Sequence, residues 1–311
     1  AILVQKRNGL ITEEQADEEI NQLRNVDVRK ELEKYFYRKS LFQQHSVSIS
    51  GGGKNQTYYL SAGFDKNLYN DVTNAYNRFT LNSHNTHYLI NNKLEIASHV
   101  IFTTALSKFS QQKYSPAYPY EKLVDNNGQH LPVVSNTQFR MQYVDTAGSG
   151  KLLDWKYRPL DENHSNSRTE NTDYTIKIGV TYHLTRSLKF SGDFQYGKGV
   201  SETDVLYDKS SYYTRNLINS YSQIDWSTGN VTRPIPLGAI LTRSNSFYKN
   251  YNGRFQANYS NKIQSIHNLS VIAGFEVKQY TSELRRHSLY GYNEEHALSA
   301  TIDYLTRFDL Y

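Results

Sequence analysis

From Gln44 onward, apolar and polar residues alternate with period two, the spacing at which a strand turns one side toward a hydrophobic environment and the other away from it. Val47 and Ile49 alternate with Ser46, Ser48 and Ser50, and the run ends at Gly51-Gly52-Gly53-Lys54-Asn55. Beyond it, Tyr58, Leu60, Ala62 and Phe64 oppose Tyr59, Ser61 and Gly63. A glycine- and asparagine-bearing turn between two alternating runs predicts a hairpin.

The same grammar recurs along the chain. Phe79 and Leu81 oppose Arg78, Thr80 and Asn82; after Asn91-Asn92, Leu94, Ile96, Val100, Phe102 and Leu106 oppose Glu95, His99 and Thr103. Tyr174, Ile176, Ile178, Val180 and Tyr182 oppose Thr175, Lys177 and Thr181, and Leu188, Phe190, Phe194 and Tyr196 oppose Lys189, Ser191, Asp193 and Gln195. Tyr251, Phe255, Ala257 and Tyr259 oppose Asn252, Arg254, Gln256 and Asn258, and Leu269, Val271, Ala273, Phe275 and Val277 oppose Asn268, Ser270, Gly274 and Glu276. The pattern predicts about eight strands in four pairs.

Helical period is confined to the beginning. Thr12-Glu13-Glu14-Gln15 has the form of a capping box and predicts a helix to about Arg24. A second helix is predicted from about Asp27 to Tyr37, with Leu32, Tyr35 and Phe36 as its buried stripe.

Connection lengths carry the next inference. Turns near 51–55, 89–93, 185–187 and 261–266 are short, whereas those near 66–75, 109–171, 198–247 and 280–311 are long. Long structureless connections are unusual in a compact domain but expected on one rim of a transmembrane β-barrel, opposite a rim of short turns. Tyr174 and Tyr182, and likewise Tyr251 and Tyr259, share an apolar face eight residues apart. That spacing spans about 27 Å along a strand, or roughly 20 Å along the normal of a tilted barrel, the separation of two interfacial aromatic girdles. On the opposite face Arg78, His99, Lys177, Asp193, Arg254 and Glu276 would line a wet lumen. A soluble sandwich also alternates, so it stays open as a second architecture.

Composition agrees with strands rather than disorder: 27 Tyr and 13 Phe stand beside 6 Pro, with a mean hydropathy of −0.70. Nowhere do about 18 apolar residues run together, which excludes a transmembrane helix and leaves a barrel open. Cysteine is absent, and with it any disulfide or thiolate metal site. The formal charge of +5 is scattered and forms no nucleic-acid-binding patch. No phosphate-binding glycine loop or nucleophile elbow is present, and His84 and His87, at odd spacing on a strand, point to opposite faces. Neither catalysis, metal nor cofactor is expected. Asp125-Asn126-Asn127-Gly128 reads as a turn, and Asp154 with Asp161 carries no acid/base geometry. Trp155, Trp226, Tyr212, Tyr213 and Arg215, all on long connections, are the candidates for contacting a ligand or a covering protein.

Several segments together carry a family resemblance. Gln44–Gly52 followed by Thr57–Phe64 resembles a hairpin of SusC/RagA-type TonB-dependent transporters, and Gly9-Leu10-Ile11-Thr12-Glu13-Glu14 with Asp27-Val28-Arg29 resembles the segment before it. Tyr120–Pro132, Leu152-Leu153-Asp154-Trp155 with Pro159-Leu160-Asp161, and Pro234-Ile235-Pro236-Leu237-Gly238 are similar to loops of that family. The resemblance implies an all-β, antiparallel up-and-down transmembrane barrel of about 22 strands, of which this chain is an internal part. It implies import of glycans, oligosaccharides or peptides across the bacterial outer membrane, driven through TonB, beneath a SusD-like lipoprotein lid. The expected organisation is a helical segment over 1–42 on the periplasmic side and a partial barrel in outer-membrane lipid over 43–311. A soluble all-β carbohydrate-binding module and an outer-membrane adhesin or hydrolase barrel are the alternatives.

Overall fold

The computed structural model describes residues 2–111, 113–134, 139–264 and 266–311. A short helix α1 (Ile2–Arg7) precedes α2 (Glu13–Arg24) and α3 (Val28–Tyr35). The capping box forms in both directions: the Gln15 amide donates to Thr12 Oγ1 at 3.2 Å and the Thr12 amide to Gln15 Oε1 at 2.9 Å. Asp27 caps α3 through the Arg29 amide at 3.0 Å. Burial falls on Ala16 and Val28 rather than on the expected stripe, because α3 docks by its first turn. The Val28 amide donates to Pro119 O at 2.9 Å. Leu32, Tyr35 and Phe36 are left half-buried.

Eight long strands follow: β1 (Leu41–Gly53), β2 (Gln56–Leu68), β3 (Ala75–Leu89), β4 (Leu94–Phe109), β5 (Ser167–His183), β6 (Leu188–Tyr207), and, after α4 (Met141–Thr146), α5 (Tyr212–Tyr221) and the ribbon β7 (Gln223–Ile224)/β8 (Val231–Thr232), the pair β9 (Ala239–Ile263) and β10 (His267–Asn293). With β11 (Leu298–Ala300) they form a nine-stranded antiparallel sheet in the order β1-β2-β3-β4-β5-β6-β9-β10-β11. The sheet is up-and-down and does not close on itself. All eight expected strands are present, and most run well beyond their expected ends. The long connections accordingly shorten to 69–74, 110–166, 208–238 and 294–311. The short turns are 54–55, 90–93, 184–187 and 264–266, and Ser265 in the last lies outside the described residues.

The placement of the helical segment departs from expectation. It was expected on the side of the short turns, yet it sits on the rim of the long connections. The Val72 amide donates to Phe36 O at 3.0 Å, the Arg38 amide to Asn70 O at 2.7 Å, and Asn163 Nδ2 to Tyr35 O at 2.7 Å. The reason is strand parity: β1 begins next to this segment and ends at the short turn 54–55, so its start belongs to the opposite rim.

Register divides the sheet into two unlike faces. Val47↔Ala62↔Leu81↔Phe102↔Tyr174 runs along one, and Ser48↔Ser61↔Asn82↔Ile101↔Thr175 along the other. Among the described residues no second layer covers the apolar face: Ile178 is 46% exposed and Phe275 65%. The packed apolar interior lies chiefly in the connections, where Leu123, Val133, Trp155 and Ile218 are buried.

Candidate functional site

The apolar face is bounded by aromatic rows. Tyr196 stands between Tyr174 and Tyr251, with ring centroids 6.0 and 5.1 Å away, so three strands present one continuous tyrosine row. Sequence spacing had picked out Tyr174 and Tyr251 but not Tyr196, whose bridging position depends on register. Toward the short-turn rim, Tyr182 pairs with Leu94 and Phe190, while Tyr259 pairs with Leu188 and Val271. Between the two ends the side chains facing this way include Ile178, Val180, Phe194 and Phe255.

The opposite face carries the expected polar residues, and register gathers five of the six. His84↔His99↔Lys177↔Gln195↔Asn252↔Lys278 forms one cross-strand row, and Gly179↔Asp193↔Arg254↔Glu276 the next. Lys177 Nζ lies 3.6 Å from Asp193 Oδ1, and Glu276 accepts from Asn252 Nδ2 at 2.9 Å and lies 3.0 Å from Lys278 Nζ. His99 Nε2 is 2.8 Å from Asn82 Oδ1, and its ring lies 5.6 Å from that of His84. Arg78 stands apart, toward the long-connection rim, paired with Asp65 Oδ2 at 2.6 Å. His84 faces this side and His87, opposite Ile96, faces the apolar side. Among the described residues, no group of three metal-ligating side chains comes together.

A glycine shapes one contact on this wall. Tyr248 reaches across β6 to donate to Asp173 Oδ1 at 2.7 Å, and its ring lies where a Cβ on Gly199 would stand, 2.0 Å from that position. Any larger residue at 199 would push the ring away.

The candidates on the connections separate into two kinds. Trp155 is 2% exposed, donates its indole N–H to Asn216 Oδ1 at 2.7 Å and packs against Phe139, Tyr143 and Tyr311. Arg215, 9% exposed, donates to Ser210 O at 2.9 Å, to Lys156 O at 3.2 Å and to Asp154 O. Tyr212 lies against Tyr157, ring centroids 5.1 Å apart. Of the candidates for contacting a ligand or a covering protein, Trp155 and Arg215 are closed inside the connections and hold them together. Tyr213 stacks on Tyr207 at 4.0 Å yet remains exposed, and Trp226 is 61% exposed in the turn between β7 and β8.

Two carboxylates are sealed in the same body. Glu121 accepts from the Ala117 amide at 3.1 Å, the Tyr118 amide at 3.2 Å and the Tyr114 hydroxyl. Glu162, 3% exposed, accepts the Tyr212 amide at 2.5 Å through Oε1, while Oε2 has no hydrogen-bond partner among the described residues. Burial holds the Glu162 carboxyl above its usual range, only partly countered by the Tyr212 amide and the Arg215 charge. At Asp154 burial acts in the same direction, but hydrogen bonds from Arg158 and the Lys156 amide outweigh it and hold this carboxyl low.

An antiparallel up-and-down sheet with one apolar and one polar face, short turns on one rim and long connections on the other, is that of a segment of an all-β barrel. It resembles solved structures in fold. Over 89% of this chain and 29% of theirs, it is similar to the RagAB peptide importer in the 'open-open' state (14% identity, TM-score 0.64) and in the 'closed-closed' state (15%, 0.62). The RagAB peptide transporter gives 14% identity and a TM-score of 0.61 over the same shares. At these identities the likeness is one of fold, and the chain spans 29% of the length of the structures it matches. No protein-family model and no curated protein matches it.

Proposed function

We propose that this chain is wall and extracellular connections of a larger outer-membrane importer barrel, of the SusC/RagA type and of about 22 strands. The observation that carries the reading is the bare apolar face. A sheet with isoleucine, valine and phenylalanine in a band between aromatic rows, and nothing among the described residues packed over them, matches a lipid-facing wall. A soluble binding module would cover that surface with a second layer. The polar wall bearing His99, Lys177, Asp193, Arg254 and Glu276 is then the lumen, and Tyr174, Tyr182, Tyr251 and Tyr259 occupy the interfacial girdles. The rim of long connections, with the helices of residues 1–42, is the extracellular one.

On this reading substrate passes through the lumen, TonB supplies the energy through parts of the protein outside this segment, and a SusD-like lipoprotein covers the extracellular rim. Trp226 and Tyr213 are the exposed aromatic contacts for that lid or for substrate. Of glycans, oligosaccharides and peptides, peptides have the additional support of the RagAB likeness. The neighbours are an importer and a transporter, which supports transport rather than catalysis.

The test is fractionation and uptake with the whole protein. It is expected in the outer-membrane fraction, extractable only by detergent, and a strain lacking it is expected to lose uptake of labelled oligopeptides. Recovery as a monomer in detergent-free buffer would refute the membrane reading. Normal oligopeptide uptake combined with lost oligosaccharide uptake would move the substrate to glycans.

A further inference from the structure

We propose that Lys198 and Lys249 form a binding site for the phosphate of an anionic lipid headgroup on the outer wall of the barrel. The inference rests on the membrane reading above. In register, Tyr174↔Lys198↔Lys249↔Thr281 places the two lysines directly opposite one another on neighbouring strands. Both occupy the apolar face, since Lys198 follows Tyr196 by two residues and Lys249 precedes Tyr251 by two. The pair is thus level with Tyr174 and one same-face step outward from Tyr196 and Tyr251, the level at which headgroups meet a barrel wall.

Like charges directly opposite on a sheet repel, and such pairs are ordinarily avoided or neutralised by a nearby acid. Neither lysine makes an ion pair among the described residues. The next step outward brings Val200 opposite Phe247, so apolar groups flank the pair above as the tyrosines do below. Glu283, opposite Phe247, is already paired with Arg285 at 2.5 Å. Further out the same face changes character: Asp204 and Arg243 form a two-pronged pair at 2.7 Å, and Arg168 pairs with Glu170. Further out, then, Asp204, Arg243, Arg168 and Glu170 each have a partner of opposite charge on the wall, whereas the two facing lysines have none among the described residues. Two lysines at directly opposed positions at headgroup depth, above the tyrosines, suit a phosphate whose acyl chains run down over Phe194 and Ile178. A free phosphate would match the charge but would gain nothing from that apolar track.

The whole protein is reconstituted in nanodiscs of equimolar phosphatidylglycerol and phosphatidylcholine, extracted in mild detergent, and its retained lipid quantified. Two lysines acting together predict phosphatidylglycerol enrichment of roughly 30-fold, and roughly fivefold for one. The enrichment should vanish in K198Q/K249Q, fall to the single-lysine value in K249Q, and survive in K198R/K249R. Equal retention of the two lipids by the unaltered protein would overturn the proposal, as would enrichment undiminished in the double glutamine variant. Displacement of phosphatidylglycerol by millimolar inorganic phosphate would overturn the lipid assignment in favour of a free-anion site. Failure of the unaltered protein to enter nanodiscs of any composition is a different result: it removes the membrane reading itself. Should the double variant not insert, K249Q and the arginine pair keep the comparison decisive.

Discussion

Replacing Ile178 by arginine tests the division of faces most directly. Ile178 lies four residues from Tyr174 and four from Tyr182 on the same strand face. Four residues are about 14 Å along a strand, or roughly 10 Å along the normal at the tilt of a barrel wall. The position is therefore close to the middle of the apolar band, where an arginine facing lipid costs about 2–4 kcal/mol. The cost should decline with depth, reaching about 0–1 kcal/mol for Tyr182→Arg at the boundary, with Val180→Arg between. Thr175→Arg supplies the control: three residues away and on the polar face, it should change stability by no more than about 0.5 kcal/mol. The measurement is equilibrium urea unfolding of the whole protein from lipid vesicles, followed by tryptophan fluorescence. A flat profile across positions 178, 180 and 182, or a Thr175→Arg cost equal to that of Ile178→Arg, would refute the assignment of the apolar face to lipid.

Three further outcomes concern the connections. Trp155→Ala should cost about 3–5 kcal/mol within that body, because the indole is buried and its N–H bonded; hydrogen exchange should show 110–166 and 208–238 losing protection while β5 and β6 keep theirs. Arg215→Lys should cost about 1–3 kcal/mol, since an ammonium cannot reach the three carbonyls that the guanidinium fork bonds, and limited proteolysis of 208–238 should accelerate. Glu162 gives a pH effect whose sign follows from its raised folded pKa. The folded body holds that proton more tightly than the unfolded chain does, so its stability is greatest below the usual carboxylate range near 4.5 and falls as pH rises through the folded value. Glu162→Gln should abolish this fall and stabilise the connections at pH 7, by about 1–3 kcal/mol, as read by proteolysis at pH 4.5 and 7.

The strands were legible where one face is apolar and illegible where it is not. In β9 the alternation starts at Tyr251, and the expected strand starts there, although the observed one begins at Ala239. Over Thr242–Ser246 both faces are polar, because the strand has left the apolar band, so nothing periodic marks it. The far half of β10, through Glu283, Arg285 and His287, disappears for the same reason. The rim occupied by the helices was available from sequence through strand parity, since a single strand separates them from the turn at 54–55. For Trp155 and Arg215 the sequence leaves open both a role in tying the connections and one in contacting a ligand or covering protein. Their chemistry suits a ligand, and only partners about 60 residues distant, Asn216 for one and Asp154 for the other, turn them inward. The same holds for His84, whose neighbour His99 is set by register and not by spacing.

Stability in this segment comes from two separate sources, and that separation explains why so exposed a sheet ends in so ordered a rim. The strands have almost no apolar interior of their own; backbone ladders join them, and on the proposed reading lipid covers the face that a soluble protein would bury. The connections cannot borrow lipid, and at their lengths they would fray without an interior. They build one from Leu123, Val133, Trp155 and Ile218, and they tie it across long separations, with Asn219 Oδ1 accepting from the Leu153 amide at 2.9 Å and the Tyr311 amide donating to Ser220 O at 2.9 Å. Glu31 accepts from the Leu123 amide at 3.3 Å, so the helical segment is bound into the same body. Residues such as Trp226 are therefore presented from a fixed platform rather than from a loose loop, and their exposure is a property of the folded rim. If so, loosening the interior with Trp155→Ala should weaken binding of a lid protein at Trp226 even though the two tryptophans do not touch, while Ile178→Arg in the wall should leave that binding intact in every molecule that folds.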